Sequence, residues 1–171
     1  MSIMKDITNN AEQNFPSLSF QVGRDRCSLT ARCVAGILIT PEATHIPEAP
    51  SYCKGIFTYL GRVIPLVELR SLFGMPSMEM EMMDFSFEGG QPQSEPQSIV
   101  IVLEDDSRAL GLIVDKVYAV EVIAPINKEQ SGALFVGSRF LANVGQPSGG
   151  GENTLMLNEQ ALLELCETIQ Y

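Results

Sequence analysis

Apolar and polar residues alternate along the chain in short bursts. In "SLSFQV", Leu18, Phe20 and Val22 share one side, the pattern of a half-buried strand. The "GRD" that follows turns the chain into "RCSLTA", which alternates through Cys27 and Leu29. "CVAGILIT" predicts a short helical or irregular turn entering a strand at Ile37 to Ile39. "PEATHIPEAPSY" carries three prolines and predicts a loop, because proline offers no ladder donor. "GIFTYL" and "RVIPLV" predict a hairpin in which Gly61 supplies the positive φ of a tight turn. Pro65 inside the second run predicts that this strand is an edge or carries a bulge. "ELRSLFGMP" predicts one helical turn, closed by a left-handed Gly74 and barred from continuing by Pro76.

The second half repeats this style. "SIVIVLED" and "ALGLIVDKV" flank a "DDSR" turn and predict a second hairpin. "YAVEVI" sets Tyr118, Val120 and Val122 on one face and Glu121 on the other. Short strands follow around "RFLANVG" and "TLML", joined by the glycine-rich "GQPSGGGEN". "NEQALLELCETIQ" predicts a helix capped by Asn158, with Leu162, Leu163, Cys166 and Ile169 on one face. Many short strands with glycine and proline punctuation indicate a mainly all-β protein built of closed or nearly closed barrels. The similar hairpins near residues 55 to 68 and 98 to 115 suggest two barrel-like halves. Residues 1–16 are polar and aperiodic and are expected to be a flexible N-terminus. Residues 75–97 mix methionine with acids, then glycine, proline, glutamine and serine. They predict a flexible insertion in one domain spanning 17–171, with an adaptable methionine surface as the second reading.

Charge narrows the partners. The 171 residues include 11 basic and 21 acidic side chains, for a formal charge of −10. That field repels phosphates, so nucleic-acid binding is not expected, and partners with basic patches are favoured. The N-terminus lacks the basic-then-apolar order of a signal peptide. No uncharged apolar run approaches the ~18 residues that span a bilayer, so a cytoplasmic protein with no membrane insertion is expected. Cys27, Cys33, Cys53 and Cys166 form no CxxC pair and read as buried thiols in a reducing compartment.

Candidate chemistry is sparse. The single histidine, His45, lies in the proline loop with no acid or ligand partner in view. "PSGGG" and "EGGQ" lack the strand-to-helix setting of a phosphate loop. Asp105 and Asp106 fit a hairpin turn, where Asp bonds locally. Asp115 ends an apolar strand and suits a carboxylate receiving backbone N–H groups. Arg62 at a hairpin tip is either solvated or a donor fork for a partner carboxylate. No catalytic residue, metal site or cofactor is expected.

The order of these motifs resembles that of CheW-like domains, the adaptor modules of bacterial chemotaxis. In "PEAPSYCKGIFTYLGRVIPLVELRSLFGMP", Pro47, Pro50, Gly55, Gly61, Pro65, Leu69 and Arg70 fall where the family pattern puts them. "GLIVDKV" supplies Gly111, Leu112, Val114, Asp115 and Val117 of a second block, and "LMLNEQALL" is similar to the family's last strand and helix start. The resemblance implies two small SH3-like five-stranded barrels packed together, with short helical turns and a C-terminal helix. It also implies a non-catalytic role, bridging a chemotaxis-type histidine kinase to the cytoplasmic tip of a chemoreceptor. By resemblance, Leu60, Gly61, Arg62, Val63 and Ile64 lie near the contact with the kinase regulatory domain. Val34, Gly111, Val117 and Val120 line the receptor-binding groove, with plain core packing as the competing reading. The chain departs from the family at Leu60, which stands in place of an arginine, and at Glu68, where Asp is usual. Those changes suggest a specialised motility pathway, with Arg62 the candidate to replace the lost guanidinium. A small-ligand sensor with a pocket between the barrels is the alternative.

Overall fold

The computed structural model describes residues 16–39, 41–77, 97–126 and 139–171. The expected flexible segments fall almost entirely outside these residues. Among the described residues ten strands run in chain order: β1 (Pro16–Val22), β2 (Asp25–Thr30), β3 (Val34–Ile39), β4 (Cys53–Tyr59), β5 (Arg62–Glu68), β6 (Ile99–Glu104), β7 (Ala109–Val114), β8 (Lys116–Pro125), β9 (Leu141–Pro147) and β10 (Thr154–Leu157). β3 starts at Val34, three residues earlier than expected, because the 3-10 turn lies upstream at Ala31–Cys33.

The strands form two five-stranded sheets. One is a closed barrel, β1-β2-β10-β9-β8, and the other has the order β3-β6-β7-β5-β4. The two predicted hairpins, β4–β5 and β6–β7, therefore do not seed separate halves. Parallel pairing of β5 with β7, from Leu66 opposite Gly111, joins them in one sheet. The closed barrel is assembled instead from both ends of the sequence, with β1 on β8 and β2 parallel to β10. The second sheet is curled rather than ladder-closed. The Tyr59 hydroxyl, near the end of edge strand β4, donates to the Ala35 carbonyl of edge strand β3 at 3.2 Å. Pro65 also differs from expectation: β5 is an inner strand, and β4 is the edge. The proline fits because it is buried one residue before the β7 ladder begins.

One apolar core serves both sheets. It combines Phe20, Cys27 and Leu29 of the closed barrel with Val67, Ile101, Leu103 and Leu112 of the curled sheet and with Leu162 and Leu165 near the C-terminus. A smaller cluster of Phe57, Ile64, Leu66, Val100, Val102 and Ala109 packs within the curled sheet. The C-terminal segment is two short helices, Glu159–Leu163 and Leu165–Thr168, rather than one. The Asn158 side chain accepts from the Ala161 N–H at 3.1 Å, the expected cap. After β5, the helical turn Leu69–Leu72 ends as a Schellman motif. Met75 N–H reaches Arg70 O, Gly74 N–H reaches Ser71 O, and Gly74 sits at φ 74°.

A buried ion pair links the two sheets. Arg70 Nε lies 2.8 and 2.9 Å from the two carboxylate oxygens of Asp115, and its NH2 group is 2.8 Å from Oδ2. The β1–β2 turn supplies a third donor, Gly23 N–H, at 2.5 Å from Oδ2. The Asp115 N–H in turn donates to Gln21 O at 2.9 Å. These side chains are only 10% and 11% exposed, so the carboxylate depends on its donors instead of on water. Removing one partner strands a buried charge. Asp115→Ala is expected to lower unfolding free energy by about 3–5 kcal/mol in urea titrations. In a double-mutant cycle, Arg70→Met should cost much less when Asp115 is already alanine.

Candidate functional site

The β4–β5 hairpin is the most conspicuous surface feature. Its two-residue turn is Leu60-Gly61, with φ of 47° and 79°. Both residues are thus left-handed, as a type I′ turn demands, and that turn suits the right-handed twist of paired strands. Gly61 adopts this conformation freely; leucine does so against its Cβ. Leu60 is also 84% exposed, so its isobutyl group touches almost nothing in this chain. Val63 beside it is 49% exposed, and its carbonyl accepts from the Tyr171 hydroxyl at 3.3 Å. Arg62 is exposed and lies 3.8 Å from Glu104, a pair too solvated to hold the tip. Ile64 is the exception among the five candidates, since it is buried in the smaller core.

The second candidate group is dispersed. Val34 and Val117 are half-buried against the large core. Gly111 is buried: a Cβ added there would meet the Phe57 ring at 2.5 Å. Its place is under the β4 aromatic, where no side chain fits. Val120 is 60% exposed on β8, with Tyr118 and Val122 also exposed. Beside them Arg26 pairs with Glu121 at 2.5 Å and lies over the Tyr118 ring at 4.6 Å from its centroid. Burial opposes ionisation of Glu121, but hydrogen bonds from Arg26 and Ser19 and the Arg26 charge outweigh it and hold the carboxyl below its usual range. The seam between the sheets is filled by the large core. Neither of two surface clefts, one against β4 and one between residues 47–50 and 168–170, lies on it.

The remaining candidates are structural. His45 is exposed in the proline loop. Asp105 takes hydrogen bonds from the Arg108 side chain and from the Ser107 and Arg108 N–H groups, which lower its carboxyl to about 2. Glu68 precedes the helical turn without capping it by its side chain; its carboxylate accepts from the Ser71 hydroxyl and pairs with Lys54 at 3.4 Å. The four cysteines are free thiols, and burial pushes Cys27, Cys33 and Cys166 up. Among the described residues no group of three His, Cys, Asp or Glu side chains is set to hold a metal ion. No helix among them is long and apolar enough to cross a membrane.

Sequence reasoning missed Arg70 as the partner of Asp115 and Tyr59 as the tie across the curled sheet. Arg70 and Asp115 did stand in the two motif blocks, which was the available signal. Tyr59 gave none, because its role depends on β3 and β4 becoming opposite edges.

Comparison with known proteins sets these features in a family. The family model described as a CheW-like domain matches residues 16–167. A Chemotaxis protein CheW from Rhizobium meliloti (strain 1021) is 27% identical over 113 residues, covering 66% of this chain and 62% of its own length. The crystal structure of scaffolding protein TtCheW from Thermoanaerobacter tengcongensis superposes with a TM-score of 0.60 at 20% identity, over 85% of this chain and 89% of that one.

Two substitutions test the local geometry. Leu60→Asn keeps the type I′ turn with a residue suited to it and should raise unfolding free energy by about 0.5–1 kcal/mol. Gly111→Ala should cost about 1–3 kcal/mol by overpacking, with the Phe57 ring resonances shifting in NMR spectra.

Proposed function

Because this chain belongs to the CheW-like domain family, we propose that it is a non-catalytic cytoplasmic adaptor that holds a chemotaxis-type histidine kinase and a chemoreceptor together. The hairpin tip, Leu60 to Val63, docks on the kinase regulatory domain. The receptor's cytoplasmic tip lies against the β8 face that carries Val120, with Val117 of the same strand packed on the core and Val34 on β3 of the other sheet. Gly111 contributes by letting Phe57 seat beneath the hairpin.

The observation that carries this reading is Leu60. An exposed leucine in a left-handed turn is unfavourable twice over for the isolated chain: it presents apolar surface to water and strains its backbone. Both costs are offset if the side chain is buried in a partner. Leucine at this point also selects an apolar pocket, where the family's arginine would select a carboxylate. That change of chemistry favours a specialised pathway with its own matched kinase. The relatives' names, a chemotaxis protein and a scaffolding protein, point to the same class of role.

The test is co-purification with the cognate kinase regulatory domain and a receptor fragment. Leu60→Asp preserves the turn, since Asp-Gly suits type I′, while replacing the apolar anchor with a charge. Kinase binding should weaken by about tenfold or more, with receptor binding unchanged. Leu60→Arg, which restores the family's guanidinium, should also weaken binding to the matched kinase. No association of the unaltered chain with either partner at tens of micromolar would sink the adaptor role.

A further inference from the structure

We propose that the outer edge of β4 is a docking site for an extended, basic peptide segment of a partner protein, added as a strand beside Thr58. One edge of β4 pairs with β5. The other is bonded at Ile56, whose N–H and C=O pair with Thr44 at 2.9 and 2.7 Å. Backbone groups two residues apart along a strand point the same way, so those of Thr58 face outward beside Ile56. Continuing the Thr44–Ile56 register would set Glu42 opposite Thr58, but among the described residues the bridge stops at Thr44. Instead a cleft of about 860 Å3 opens there, lined by Glu42, Thr44, Ile56, Phe57, Thr58 and Val63.

The occupant follows from what lines the cleft. An outward N–H and C=O in line with an existing bridge are matched by extended backbone; a helix has already spent those groups internally. Thr44 shows the mode, since it is a single residue of added strand. The Ile56 and Val63 side chains, which share the face of Thr58, suit small apolar groups on alternate residues of the guest. Glu42 at the cleft and the formal charge of −10 favour a guest carrying lysine or arginine. The same charge disfavours a second copy of this chain. Edges are usually blunted by lysine, proline or a bulge; β4 has Lys54 and a bulge at its start and Pro41 borders the cleft, but the open position itself is Thr58. The inference does not rest on the adaptor reading, because it concerns the edge and not the Leu60 tip.

The experiment titrates the 15N-labelled full chain with acetyl-Lys-Val-Thr-Val-Lys-Val-amide. A second peptide has the same side chains and N-methyl groups on alternate backbone nitrogens. The first peptide should shift the Thr58 amide saturably and slow its hydrogen exchange about tenfold or more. The methylated peptide should bind about tenfold more weakly or worse, because it cannot complete the strand bonds. Thr58→Pro removes an outward-facing N–H without taking a ladder bond from β5, and should weaken binding to a similar degree with spectral dispersion retained. Equal binding of the two peptides, unchanged exchange at Thr58 under saturating peptide, or full binding by folded Thr58→Pro would each overturn the proposal. If Thr58→Pro fails to fold, the two peptides decide alone. No kinase or receptor is present, so failure here leaves the adaptor reading intact, and failure of co-purification leaves the edge site intact.

Discussion

The pairing of Arg70 with Asp115 governs how the two sheets stand to each other. Arg70 lies in the helical turn that ends the β4–β5 hairpin, and Asp115 lies where β7 passes into β8. Gly23, which donates to the same carboxylate, is the turn of the first hairpin. Three chain segments therefore meet on one buried anion. Apolar packing is non-directional and would tolerate some slippage between sheets, whereas a forked guanidinium on a carboxylate has one good geometry. The shared core supplies cohesion and the ion pair supplies orientation. The hairpin and the exposed face of β8 belong to different sheets, so their relative placement depends on this junction.

The surface shows a complementary economy. Core positions such as Phe20, Val67 and Leu112 are fully buried, and the polar groups at the sheet junction have donors or acceptors. Against that order, the exposed large apolar side chains among the described residues lie at the Leu60 tip, the outer residues of β3, the face of β8 and Tyr171. Such apolar exposure is costly in water. Leu60 is the clearest, because its conformation as well as its exposure is unfavourable.

Much of the fold was legible from residue pattern. The strand alternations, the Asn158 cap and the Gly74 stop are local signals, and local physics decides them. The assignment of hairpins to sheets was not legible, because the parallel pairing of β5 with β7 and of β2 with β10 leaves no periodic mark. Pro65 misled for the same reason: a missing N–H signals an unbonded position, and only topology tells whether that position is on an edge. Asp115 was read correctly as a receiver of backbone N–H, but its arginine is 45 residues away. Of the docking candidates, the strain at Leu60 was invisible because only Gly61 was expected to require positive φ. Gly111 could not be assigned to the space beneath Phe57 without the sheet that brings them together.

The sheet order also has a consequence for the order of synthesis. Every strand of the curled sheet has been made once residue 114 is added, and its hairpins have short connections within reach. The closed barrel cannot be completed then. Its β2 must wait for β10, more than a hundred residues later, and until that point β1 and β2 have an open edge. The half bearing the Leu60 hairpin is thus the one that a growing chain can finish first. The other half closes last around a junction whose two charged partners are by then already in place.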